Sequence, residues 1–148
     1  MENYFINCER IRIIALKIFN MGIEVKKEEQ YTLLNVYTTV LTTEDCEKLK
    51  NTIATEMESG AKNFIIEIKN VEDVGSDFYV TLDTVTHILQ KEDGILVICE
   101  PQGQEIIAAL EKRGMIITHS FDEAVDYVFM VEIEKQLDAE DDEEINDL

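Results

Sequence analysis

The chain has no tryptophan, a single proline (Pro101), six glycines and only two histidines, His87 and His119. Neither histidine has a serine or cysteine partner at suggestive spacing, so both read as structural residues rather than as catalytic groups or metal ligands. Cysteine is scarce as well. Cys8, Cys46 and Cys99 are far apart and odd in number, which argues against a disulfide framework. Cys46 and Cys99 fall on apolar periodic positions and read as small core residues. Positive charge is short throughout: 13 Lys and Arg stand against 32 Asp and Glu, for a formal net charge of −19. A surface of that sign repels the phosphates of nucleic acids and of anionic membranes, so neither is expected as a partner. Either a partner with a basic surface is expected, or none.

The motifs of common enzymes are also missing. There is no phosphate-binding G-x-x-x-x-G-K-[ST], no G-x-G-x-x-G, no G-x-S-x-G and no H-E-x-x-H. Carboxylates are so abundant that pairing two of them as acid and base has no specificity. The expectation is a non-enzymatic protein without cofactor or metal. No apolar run approaches the ~20 residues of a membrane-spanning helix. Near the N-terminus, Ile11, Ile14, Ala15 and Ile18 form a helical stripe, but Arg12 and Lys17 interrupt it and no small-residue cleavage site follows. A cytoplasmic protein is expected. Met21, followed by Gly22-Ile23-Glu24-Val25, resembles a second translation start. Residues 1–20 therefore read as an N-terminal appendage.

What is there alternates cleanly. Residues 22–26 read as a short extended piece, and Tyr31–Thr38 alternates with strand period, with Tyr31, Leu33 and Tyr37 on one face. Thr42 resembles a helix N-cap with Asp45 in the capping-box place. Cys46, Leu49, Ile53 and Met57 follow at helical spacing up to Gly60. Phe64–Ile68 is the near-continuous apolar run of a strand covered on both faces. Phe78, Leu82, Val85 and Leu89 stripe the next helix, which stops before Gly94. Ile95–Cys99 is a second buried strand, Pro101 blocks its continuation, and Ile106, Ile107 and Leu110 turn a third helix inward. A short strand, Met115–Thr118, precedes the capping box Ser120-Phe121-Asp122-Glu123 and a last helix. From Asp138 to Leu148 there are seven acids and no base, so residues 135–148 are expected to form a disordered acidic tail. The whole predicts one α/β domain over residues 21–134, a four- to five-stranded mixed sheet with about four helices packed mainly on one face.

The turn between the first buried strand and the second helix carries the most chemistry. In Val71-Glu72-Asp73-Val74-Gly75-Ser76-Asp77-Phe78 a serine falls at the first turn of a helix, beside unpaired N–H groups and the positive end of the helix dipole. Such a serine either accepts a phosphate or simply caps the helix. Tyr79 belongs either to a partner patch or to the core.

From Gly22 to about Val131 the order of elements resembles the STAS domain of bacterial anti-sigma factor antagonists. The resemblance is carried by Leu33-Leu34-Asn35-Val36-Tyr37, Thr42–Leu49, Ile65–Val71 and Ser120–Val125, about three quarters of the chain. The family's diagnostic turn is Asp-Ser-Ser-Gly-Leu-Gly, whose first serine is phosphorylated by the partner kinase. This chain has Gly75-Ser76-Asp77-Phe78-Tyr79-Val80 there and keeps only that serine, Ser76. Phe78 and Val80 in place of glycines change how closely another backbone can approach. The resemblance implies a regulator of transcription that binds an anti-sigma factor/serine kinase-like protein, with Ser76 as phosphoacceptor and Glu72, Asp73, Gly75, Asp77 and Tyr79 around it as partner contacts. The alternative is a diverged domain that serves as a constitutive structural or accessory subunit of a protein complex or transporter. Oligomeric state is not legible.

Overall fold

The computed structural model describes residues 22–146, with side chains through Ala139. Residues 1–20, read above as an appendage, lie outside the described residues, as does Cys8. Among the described residues seven strands and four helices follow one another: β1 (Ile23–Lys27), β2 (Thr32–Val36), β3 (Val40–Leu41), α1 (Thr43–Glu58), β4 (Asn63–Glu67), β5 (Asp73–Val74), α2 (Ser76–Lys91), β6 (Ile95–Cys99), α3 (Gln104–Lys112), β7 (Ile116–Thr118) and α4 (Phe121–Asn146). Five strands form one sheet in the order β1-β2-β4-β6-β7. Only β1 runs antiparallel to its neighbour, Ile23 opposite Val36 and Lys27 opposite Thr32. The other pairs are parallel, because a helix lies between each strand and the next in the sheet. The expected mixed α/β sheet is thus present.

Every residue of β4 is buried. Phe64, Ile66 and Ile68 point into a core with Leu49 and Ile53 of α1, Phe78, Leu82, Val85 and Leu89 of α2, and Ile106 and Leu110 of α3. Ile65, on the opposite face, packs with Leu33, Val97, Cys99 and the α4 residues Ala124 and Val128. Three helices thus cover one face and the fourth the other. The alternation within β2 serves this two-sided cover. Leu34 and Val36 fill the larger core while Leu33 faces α4.

The helix starts follow local rules. Thr42 caps α1: the Asp45 N–H donates to Thr42 Oγ1 (3.3 Å) and the Thr42 N–H to Asp45 Oδ2 (2.9 Å), the expected capping box. At α4 the Glu123 N–H donates to Ser120 Oγ (3.2 Å), but the Glu123 carboxylate reaches back to the His119 N–H (2.7 Å), one residue earlier than in a standard box.

Two features were not legible. β3 and β5 form a separate two-stranded parallel ladder, Val40 opposite Asp73 and Leu41 opposite Val74. And α4 does not end at Glu134. The stretch from residue 135, expected to be disordered, is helical as far as Asn146. Lys135 extends the anchorage: its ammonium donates to the Asp93 carbonyl and pairs with Glu132. With the preceding turns already held, each added residue gains a backbone hydrogen bond without a new nucleation cost.

Gly94 has a role other than ending a helix. The left-handed residue after α2 is Asp93 (φ 57°), and a Cβ on Gly94 would lie 2.0 Å from the Lys62 carbonyl oxygen. Gly94→Ala is expected to destabilise the fold by about 1–3 kcal/mol, read as a lower urea midpoint at unchanged slope.

Candidate functional site

The turn singled out from sequence sits where β4 delivers the chain past Ile68 and the β3–β5 ladder ties it down. The Val71 N–H donates to the Ile68 carbonyl (3.1 Å), and the N–H groups of Glu72 and Asp73 share the Thr39 carbonyl (2.7 and 3.2 Å). Val71 is fully buried and Phe78, on the far side of the turn, is fully buried as well. These two apolar pegs hold the segment between them, and Glu72, Asp73, Gly75, Ser76 and Asp77 are exposed as a result.

Gly75, not Ser76, is the N-cap of α2, with extended backbone (φ −84°, ψ 169°) and no side chain to close the helix end. Ser76 is the first helical residue and its side chain is exposed. Ser76 thus lies at the first turn of the helix, as read from the sequence, and the residue is exposed. The alternative, a serine that caps the helix, does not describe this geometry. Removal of the hydroxyl is accordingly expected to be nearly silent: Ser76→Ala changes stability by less than about 0.5 kcal/mol, against about 1 kcal/mol for a lost cap. Urea denaturation separates the two.

Asp77 is not a free carboxylate. Thr43 Oγ1, at the first residue of α1, donates to Asp77 Oδ2 (2.7 Å), so the N-termini of α1 and α2 are joined side by side. Sequence reasoning missed Thr43 because 34 residues separate the partners, and nothing local pairs them. Tyr79 is half-buried. Its ring stands edge-on to Phe78 (centroids 5.6 Å apart), and the Arg113 guanidinium lies 5.3 Å from its centre while also pairing with Asp83. Burial pushes its phenol above the ordinary tyrosine range, with Arg113 opposing the shift. One edge of Tyr79 packs on the core, and the rest borders a cleft of about 400 Å³ lined by Glu72, Asp73, Val74, Gly103, Gln104 and Glu105. Of the two departures from glycine, Phe78 is fully buried and leaves the outer surface unobstructed. Val80 is 58% exposed and stands on that surface.

Among the described residues no group of three His, Cys, Asp or Glu side chains is placed to hold a metal ion. His87 and His119 are exposed and apart from the turn. Cys46 and Cys99 are buried free thiols. Desolvation raises both, Cys99 to about 11. In a Cys8→Ser chain neither thiol should react with a thiol reagent at neutral pH. Modification should need denaturant or a pH approaching 11, followed by release of the coloured thiolate.

No protein-family model matches the chain, nor does any curated protein sequence. Solved structures do. The anti-sigma factor antagonist SpoIIAA in its unphosphorylated form superposes with a TM-score of 0.62 at 14% identity, covering 72% of this chain and 96% of that one. A STAS domain protein from Planctomyces limnophilus gives 0.60 at 20% identity, with 72% and 96% covered. RsbS of Moorella thermoacetica gives 0.62 at 15%, with 74% and 96% covered. The protein therefore has the STAS fold. In particular, it resembles the bacterial anti-sigma factor antagonists, as the order of its elements implied. No helix among the described residues is long and apolar enough to cross a membrane.

Proposed function

We propose that this protein is a non-enzymatic regulator, similar to anti-sigma factor antagonists, that binds an anti-sigma factor/serine kinase-like partner at the turn before α2 and is switched by phosphorylation of Ser76. The observation that carries this reading is the exposed position of Ser76 at the first residue of α2, on a rim another macromolecule can reach. SpoIIAA, which shares the fold, has been solved in a phosphorylated form as well as an unphosphorylated one.

The physical effect of a phosphate follows from its surroundings. It adds about −1.5 to −2 charge at a helix N-terminus, which favours it. Glu72, Asp73 and Asp77 crowd the same rim with negative charge, and Asp77 is already committed to Thr43. An interface fitted to a neutral serine would then have to bury a dianion among carboxylates, and the complex would come apart. Glu72, Asp73, Gly75 and Asp77 supply the docking rim and Tyr79 its inner edge. The working compartment is the cytoplasm and the output is transcriptional.

Incubation with ATP and a serine kinase of the anti-sigma factor class should label Ser76 by mass mapping and leave Ser76→Ala unlabelled. Ser76→Asp should weaken binding of that kinase by about tenfold or more. Absence of label together with unchanged affinity of Ser76→Asp would end the switch reading.

One observation favours a second reading, a constitutive structural or accessory subunit of a complex or transporter. Val80, 58% exposed, stands where the family's turn has glycine, so a partner backbone cannot approach as closely. A stably co-purifying partner whose affinity ignores phosphorylation is the outcome that selects it.

A further inference from the structure

The last helix is apolar on two sides. Its inner side is ordinary: Ala124 and Val128 are fully buried against Leu33, Ile65, Val97 and Cys99. Its outer side carries Phe129 (43% exposed), Met130 (49%), Ile133 (56%) and Leu137 (55%). Residues 129, 133 and 137 are four apart, and 130 leads to 133 and 137 by steps of three and four, so the four side chains make one stripe along the helix. Four large apolar side chains held together at the surface are not accounted for by the packing of the described residues, since the sheet beneath α4 is already covered.

The charges beside the stripe restrict what can cover it. Asp122, Glu123, Asp126, Glu134 and Asp138 are all exposed on the same helix. Lys135, the only base in α4, is held inward on the Asp93 carbonyl and Glu132. A second copy of α4 would bring the same acids against these in either orientation, and an anionic membrane or a nucleic acid would be repelled. A helix with an apolar face and flanking lysines or arginines satisfies both demands, laying its stripe on this one while its bases meet the acids.

We propose that the outward face of α4, centred on Phe129, Met130, Ile133 and Leu137, is a docking surface for a basic amphipathic helix of a partner protein. It lies on the opposite side of the sheet from α1–α3 and the Ser76 turn. A partner there leaves the turn accessible, so the protein can hold two partners at once, only one of them sensitive to phosphorylation.

The absence of tryptophan makes the test direct, because Phe129→Trp in the full chain places a single fluorophore in the stripe. The probe is a synthetic leucine–lysine peptide with leucines at helical spacing, and the control is the same composition scrambled. The helical peptide should shift the emission to shorter wavelength and the scrambled one should not. Adding Ile133→Asp and Leu137→Asp should weaken binding by about tenfold or more, with the melting curve unchanged. Ser76→Asp should leave it as it was, which separates failure here from failure of the switch.

Equal binding of the scrambled peptide, or no loss in the Asp variant, overturns the proposal. So does a stripe already occupied. Blue-shifted emission in a dimer by light scattering would assign it to a second copy. Blue-shifted emission in a monomer, relieved by Ile14→Asp, would assign it to residues 1–21.

Discussion

The burial of β4 on both faces is the constraint on which the rest of this structure depends. A strand whose side chains Phe64, Ile65 and Ile66 are all fully buried has no solvent-facing edge or face of its own. Each such side chain removed from water contributes about 1.5–3 kcal/mol, but only if layers exist above and below. The crossovers through α1, α2 and α3 supply one layer, and α4 supplies the other. Parallel pairing with β2 and β6 follows, since strands joined by helices on a sheet face must run the same way.

That same constraint makes the Ser76 rim. The chain leaves β4 at the end of the sheet, passes Val71 into the core, and must return Phe78 to the core within seven residues. The intervening residues cannot be buried too, so they form an acidic bulge whose backbone donors are used by Thr39. The Thr43–Asp77 hydrogen bond then fixes the start of α2 against the start of α1. Ser76, the residue before Asp77, begins α2 on a backbone held in this way.

Much of this was legible. The stripe Phe78, Leu82, Val85 and Leu89, the capping pair Thr42 and Asp45, and the continuous apolar run of β4 are patterns of period or of adjacent residues, and local geometry alone enforces them. The placement of Ser76 at a helix start belongs with these. What was not legible involves residues remote in sequence: Thr43 on Asp77, Arg113 over Tyr79, Gly94 against Lys62, and Val40 beside Asp73. The helical continuation past Glu134 is of the same kind, because composition reports the charge of that segment but not the carbonyl that Lys135 reaches.

By itself the amino-acid order determined the strands of the main sheet and the starts of the helices, their α/β class and the chemical character of the turn, because hydrophobic period and capping are decided within a few residues. Tertiary structure alone decided that Gly75 caps α2 while Ser76 stands free of that task, that Phe78 turns inward while Val80 turns outward, and that among the described residues one apolar side of α4 is exposed. Those outcomes depend on which surfaces meet when the layers close, and distance along the chain carries no record of that meeting.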